Sequence, residues 1–489
     1  MNRPLPSYNF SSQIFLRGLG FLYFVAFLCL YNDFIPLLSS KGLLPIEIYL
    51  NRIHDHFGGE SLTAFWELPS IFHFSYSDTL AHACTILGLI LSVCIMFGLQ
   101  NMLILFACWV LYFSFVSVGQ RWYSFGWEFQ LLETGFLALF FVPIFHPQKR
   151  IIPSKVSIYL AWWLGMRLMW GAGLIKIRGD VCWTDLTCLD YHFETQPVPN
   201  PLSSFFHHLP AGFLRFGVIL NHFVEILLPF ALFIPNTKIR NVVGFIFIFF
   251  QGTLILSGNL SFLNWLSILP FILCIDDSVW SKLYTPKRDF IEDKPTSYLS
   301  YIYALMVIYL SIPVVQNLLS ENQSMNQSFD NLRLVNTYGA FGSVGRTRPE
   351  LIIEGLDDEN NWREYEFKCK PGSVERRPCW ISPYHYRLDW LIWFAAMSGE
   401  RNGQIGRDTW LIHLIWKLLH HDESALSLLE PSPFEDAPPQ KIRIQVYQYR
   451  FGRDNWWERE LSHTWIQPLS LDNKSLQQFV QKQGWNTYE

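Results

Sequence analysis

Apolar residues fill the first two thirds of the chain in long blocks, broken by short polar stretches, and beyond residue 330 the blocks give way to alternation and short helical periods. A bilayer's hydrocarbon core takes about 20 mostly apolar residues to cross as a helix. The pattern predicts such spans near 12–31, 79–98, 101–118, 128–146, 156–176, 213–234, 239–256, 260–276 and 297–317, about nine in all. Only Ser257, Gly258 and Asn259 separate the seventh from the eighth, a spacing that also fits a re-entrant pair. Arg17 interrupts the first block and no small-residue cleavage site follows it, so it reads as a retained span rather than a signal peptide.

The remainder reads differently. LIIEG (351–355) and WREYEFKCK (362–370) have strand character, with GLDDENN as turn chemistry between them. KIRIQVYQYRF (441–451) alternates with Ile442, Ile444 and Val446 on one face, then switches parity to Tyr447, Tyr449 and Phe451, which predicts a bulge or a strand buried on both faces. RLDWLIWFAAMSG and TWLIHLIWKLLHH carry helical spacing and predict amphipathic helices lying against the membrane or the bundle. The expected fold is a multi-pass α-helical membrane bundle over residues 1–320, followed by a soluble β-rich (α+β) domain over 330–489.

Composition sharpens this. Charged residues make up 16% of the chain against about 25% in an ordinary soluble domain. The net charge of −4 argues against a nucleic-acid binder, which needs a basic face. Lys and Arg mark the cytoplasmic side of a membrane protein. Arg3, Lys149, Arg150, Lys155, Lys238, Arg240, Lys282, Lys287, Arg288 and Lys294 fall on one side of the predicted spans; the other side has longer loops and fewer positive charges. The amino terminus is then cytoplasmic and, with an odd number of spans, the C-terminal domain lies outside: in the lumen of the endoplasmic reticulum, or beyond the inner membrane of a bacterium. The loops 32–78, 119–130 and 177–212 share that outer side.

Ionisable groups at membrane depth face protein rather than lipid. Two readings of Glu133, Lys176, Asp180 and Glu225 stand: an outward-opening polar cavity that handles a proton or a substrate, or ion pairs that hold the bundle together, the latter favoured for Arg17, Arg167 and Glu225. Gly165, Gly171, Ala172 and Gly173 favour close helix packing. Of nine cysteines, Cys29, Cys84, Cys94, Cys108 and Cys274 fall in spans. Cys182, Cys188, Cys369 and Cys379 fall on the oxidising side and are disulfide candidates, paired locally or across the two domains. His54–Asp55–His56 and His207–His208 are weak metal signals, and neither metal nor cofactor is expected. Trp380, Trp390, Trp456 and Trp457 form either a surface for an unfolded apolar client or a core. No GxSxG, HExxH or P-loop is present.

Eight stretches in order, KGLLP, VGQRWYSFGWEFQLLETG, LTCLDYHFETQPVPNP, NLSFLNWLS, LVNTYGAFGSVGRTRPELIIEG, WREYEFKCKPG, PYHYRLDWLIWFAA and FEDAPPQKIRIQVYQYRF, resemble the lipase maturation factors over nearly the whole chain. The resemblance implies a multi-pass membrane protein of the endoplasmic reticulum that helps dimeric secreted lipases fold and assemble, a chaperone-like factor rather than a lipase. The family's motif residues fall on Tyr191, His192, Thr195, Gln196 and Pro197, and on Asn336, Thr337, Tyr338, Gly339, Trp362, Glu364, Tyr365, Arg387, Asp389 and Trp390. With Glu194 these are candidates for contact with a client or between domains. The partners expected are a secreted lipase or other exported protein and the bilayer. The alternative is an intramembrane enzyme or lipid-binding protein, motivated by Glu133, Lys176, Asp180, His192 and Glu194. It is analogous at the level of fold to bundles of the vitamin K-dependent carboxylase type.

Overall fold

The computed structural model describes residues 7–282 and 290–485, apart from 402, 404, 407 and 435–436. Arg3, Lys287 and Arg288 of the charge pattern, and Glu435 and Asp436 of FEDAPPQ, lie outside the described residues.

The apolar blocks fold as α1 (Asn9–Asp33), α2 (Asp78–Phe97), α3 (Met102–Val118), α4 (Gly126–Ala138), α5 (Lys155–Gly179), α6 (Ala211–His222), α7 (Thr237–Ser257), α8 (Leu263–Ile272) and α9 (Lys294–Leu319). Six are long and apolar enough to cross a membrane: α1 with the turn that carries it to Leu38, α2, α5, α6 with the turns that carry it to Phe233, α7 and α9. The other three are shorter than their apolar runs predict, at 17 residues for α3, 13 for α4 and 10 for α8. For α4 the reason is its place. All its residues are buried except the half-buried Phe129 and Phe136, so its apolarity serves a protein core and need not match a bilayer. α8 is likewise largely buried, and Pro270 sits inside it close to its end.

Hydrogen bonds sort the connections between two ends of the bundle. At one end Asp277 accepts from Ser7 Oγ (2.8 Å) and from the N–H groups of Asn9 and Phe10 (2.9 Å each). Gln100 N–H donates to the Pro147 carbonyl there (3.0 Å), and Arg240 donates to the Tyr8 hydroxyl (2.8 Å). At the other end Gln120 donates to the Leu44 carbonyl (3.0 Å), joining the GQRWYSF turn to KGLLP, and Trp265 donates to Ser382 of the C-terminal half (3.0 Å).

The C-terminal half is built on an antiparallel sheet. β1 (Arg348–Leu356) and β2 (Trp362–Tyr365) form a hairpin, followed by α10 (Arg387–Glu400) and α11 (Thr409–Leu419), then β3 (Lys441–Phe451), β4 (Trp457–Leu469) and α12 (Lys474–Gln483). The strand order is β2-β1-β3-β4. Every residue of the central β1 is buried. The parity switch in β3 is real: the register against β4 shifts between Val446 and Tyr447, after the buried run Ile442, Ile444, Val446 and before the buried pair Tyr449 and Phe451. The strand expected over 362–370 stops at Tyr365, and Phe367 makes only an isolated bridge to Leu429.

One continuous apolar cluster joins the two halves, running from Phe15 and Leu30 of α1 through Trp127 and Leu131 to Trp390, Leu411 and Ile444. The amphipathic helices therefore settle on protein: His413 of α11 meets the Leu43 carbonyl (2.8 Å), and Trp390 of α10 packs edge-on against Trp127 at 4.8 Å. Both disulfides are local, Cys182–Cys188 and Cys369–Cys379; neither crosses between halves. The small residues of α5 do serve close approach: a Cβ on Gly171 would lie 2.4 Å from the Tyr338 carbonyl oxygen.

Candidate functional site

Nearly all the residues singled out in the sequence meet along the seam between bundle and sheet, in three clusters. The first is built on the segment after the Cys182–Cys188 disulfide. Residues Leu189–Thr195 form a short helix, and the proline-rich run after it bends over residues 196–198 without regular structure. Arg348, at the start of β1, spreads its guanidinium across this run. Nη1 donates to the carbonyls of Glu194 (2.6 Å) and Gln196 (2.5 Å), and Nη2 to the carbonyl of Pro197 (3.1 Å) and to Glu350 (2.6 Å). Lys370 closes the ionic triad on Glu350 at 2.9 Å, with all three side chains at most 1% exposed. Glu194 itself accepts from the Phe451 N–H (2.7 Å), and the Thr195 carbonyl accepts from Trp393 (3.1 Å). Gln196 turns the other way and donates to the Ser257 carbonyl of α7 (2.9 Å). One short segment therefore grips both halves.

At its edge, Arg346 lies over the Tyr191 ring at 4.8 Å and pairs with Asp180 at 2.9 Å. Burial works against the Asp180 charge, but the Arg346 hydrogen bond and the N–H groups of Cys182 and Val344 hold its carboxyl below the usual carboxylate range. His192 packs edge-on against Phe341 at 4.6 Å. Burial, and then the neighbouring Lys176 charge, push its pKa down to about 3, so it is a neutral packing residue at any physiological pH. Arg346 is 41% exposed, and exposed pairs contribute roughly 0–1 kcal/mol. Arg346→Ala is therefore expected to leave the unfolding midpoint of the purified protein nearly unchanged; a large drop would show that the pair holds the seam.

The second cluster surrounds Glu133 of α4. It pairs with Arg167 of α5, both side chains being at most 3% exposed. It also accepts from the Asn336 N–H (3.0 Å), the Asn336 amide (3.0 Å) and the Tyr338 hydroxyl (2.6 Å), while Arg167 donates to the Asn336 carbonyl (2.9 Å). The segment that follows α9 is thus threaded back onto an ion pair inside the bundle.

The third joins α4 to α10. Arg387 donates to Glu128 (2.7 Å) and to the Trp122 carbonyl (2.6 Å), and its guanidinium lies 3.6 Å over the Tyr123 ring. Glu128 also takes the Tyr112 hydroxyl and the Trp127 indole N–H (3.1 Å). Two residues on, Asp389 receives the N–H groups of Cys369 (2.6 Å) and Lys370 (2.8 Å), which ties the second disulfide to the start of α10. Burial pushes the Asp389 carboxyl up to about 6 despite those donors.

The polar candidates do not form one cavity. Lys176 pairs with Glu225 (2.6 and 2.7 Å) and Asn221 (3.0 Å), Glu133 with Arg167, and Asp180 with Arg346. Arg167 and Lys176 lie nine positions apart on α5, about 13 Å along a helix. Trp362 stands apart on β2, 4.1 Å under the Arg443 guanidinium. Trp390 and Trp457 are core residues, and Trp380 is 46% exposed. Among the described residues no group of three or more His, Cys, Asp or Glu could hold a metal ion; His54 instead meets His73 at 3.0 Å. The sequence reading missed Arg348, Glu350, Lys370 and Glu128. Their signal is charge at inward positions of segments that are otherwise apolar, as in RPELIIEG.

The model of the lipase maturation factor transmembrane domain matches residues 10–282, and that of the lipase maturation factor C-terminal domain matches residues 334–467. The chain is 44% identical to lipase maturation factor 1 of Bos taurus, over 94% of this chain and 88% of that protein. The chain belongs to the lipase maturation factor family. It is also similar to lipase maturation factor 1 of Homo sapiens, at 42% identity over 96% of this chain, and to lipase maturation factor 2 of Rattus norvegicus, at 26% over 96%. No solved structure matches. The two matched regions divide where the three clusters lie: as a lipase maturation factor, this multi-pass membrane protein has Glu128, Glu133 and Gln196 in the transmembrane match and Arg348, Arg387 and Asn336 in the C-terminal match.

Proposed function

We propose that this chain is a membrane-anchored, chaperone-like factor that helps secreted lipases fold, assemble or mature. The observation that carries the reading is family membership over nearly the entire chain, shared with proteins named for lipase maturation. In this reading residues 1–320 form a polytopic domain with about nine membrane-embedded segments, three of them short, and residues 330–489 form a sheet domain on the lumenal face of the endoplasmic reticulum. Two features support that orientation. Asp277, Pro147 and Ser7 share one end of the bundle, together with the loops rich in Lys and Arg, and Ser382 meets the other end. Both disulfides sit on the side assigned to the oxidising compartment, Cys182–Cys188 in the 177–212 loop and Cys369–Cys379 in the C-terminal half.

The seam residues Tyr191, His192, Glu194, Thr195, Gln196, Asn336, Tyr338, Arg387, Asp389 and Trp390 are assigned the role of fastening the halves together, leaving client contact to more exposed surface. Their contacts with both halves, and the burial of most of them, support this over a client-binding role. The pairing of Glu133, Lys176, Asp180 and Glu225 with nearby cations and amides likewise supports a structural role over catalysis.

Deleting the gene in its own host is expected to lower the activity of secreted lipases in the medium while lipase transcript levels hold, with inactive lipase retained in the cells. Re-expression of the intact chain should restore it. Unchanged lipase activity after deletion would sink the proposal.

A further inference from the structure

The sequence contains five Asn-x-Ser/Thr triplets, at Asn9, Asn259, Asn322, Asn326 and Asn473. This is the acceptor pattern for N-linked glycans in an exported segment, and the fold sorts the five sharply. Asn9 stands at the end of the bundle opposite the sheet domain, its N–H held by Asp277. Asn259 is 1% exposed, its amide donates to the Cys379 carbonyl (2.9 Å) and its Oδ1 accepts from Ile381 and Ser382 (3.2 Å each). Asn326 is half-buried, its Nδ2 donates to the Gly339 carbonyl (3.0 Å) and its side chain presses on Gly126, so the atom a sugar would take is engaged. Asn322 is exposed but follows the last residue of α9, Leu319, by only three positions, next to the end of a span in this reading.

Asn473 differs from all four. It caps α12, and only its oxygen is used: Oδ1 accepts from the Leu476 N–H at 3.0 Å. Among the described residues its Nδ2 makes no hydrogen bond, and Asp472, Lys474 and Ser475 around it are exposed. A sugar is attached through Nδ2, so the atom to be modified is the free one and the capping atom keeps its bond.

We propose that Asn473 carries an N-linked glycan. The donor is a polyprenol diphosphate-linked oligosaccharide. The Nδ2–C1 bond forms as the C1–O bond to the diphosphate breaks, polyprenol diphosphate leaves with the bonding pair, and the amide nitrogen gives up one of its two protons to solvent. The proposal rests on the lumenal placement of the C-terminal half and adds a modification site to it.

The test expresses the full chain in a mammalian cell line, with a C-terminal extension bearing its own acceptor triplet, and reads migration before and after peptide N-glycosidase. Two glycan steps are expected. Ser475→Ala, which leaves the Asn473 cap intact, should remove one of them, as should Asn473→Gln. Ser475→Thr and Asn322→Gln should keep both. A second step that survives in Ser475→Ala overturns the proposal. So does an extension that is modified while the rest of the chain is not, a result that would leave the lumenal reading standing. If neither is modified, the orientation fails and the proposal with it.

Discussion

Arg387→Met is expected to destabilise the protein by about 3–5 kcal/mol, the usual cost of removing one partner from a buried ion pair. Both side chains of the Arg387–Glu128 pair are fully buried, and Arg387 also supplies the donor to the Trp122 carbonyl and the cation over Tyr123. Without it Glu128 keeps two neutral donors, Tyr112 and Trp127, for a carboxylate with no counter-charge. Denaturant titration of the detergent-purified protein, followed by tryptophan fluorescence, measures the loss; Trp127 and Trp390 lie on the disrupted face. The double variant Glu128→Gln with Arg387→Met should recover part of it, because the stranded charge is gone. A single variant as stable as the parent would mean that the pair is not what joins α10 to the bundle.

The second large effect belongs to Glu133→Gln. The amide can still accept from Tyr338, but Arg167, 2% exposed, loses its counter-charge within the bundle. The expected loss is again about 3–5 kcal/mol, and its location is more informative than its size. The 334–342 segment should come away from α5, so limited proteolysis should produce a new cut there while the sheet domain stays resistant. Unchanged protease resistance together with parental stability would show that Asn336 and Tyr338 are held by something other than Glu133.

Much of this fold was legible in the sequence because its signals are periodic and local. The apolar blocks mark the helices, and the parity switch at Tyr447 marks a register shift that is present in β3. The local pairing of both disulfides follows from short spacing once the chain is folded. Length was harder to read. A run of apolar residues says that a helix avoids water, but not whether lipid or protein surrounds it, and α4 is surrounded by protein. β4 went unread because its residues are exposed over much of its length and do not alternate cleanly. The candidate site was legible as a set of residues but not as contacts. Asp180 reads as a polar-cavity candidate beside Lys176, yet its partner Arg346 lies 166 residues away. No periodicity within a segment reports a bond of that separation.

The link from Asn336 to Glu133 also bears on the order of events during synthesis. The two residues are 203 positions apart, and Asn336 follows α9, the last helix long and apolar enough to cross a membrane. When α4 and α5 have been made, the carboxylate has Arg167 but none of the donors that complete its shell, and these do not exist until the ribosome has passed α9. The membrane part of a nascent chain is thus finished by residues of the segment that comes after it. A chain truncated after Leu319 would carry the Glu133 carboxylate without the Asn336 and Tyr338 donors that complete its shell.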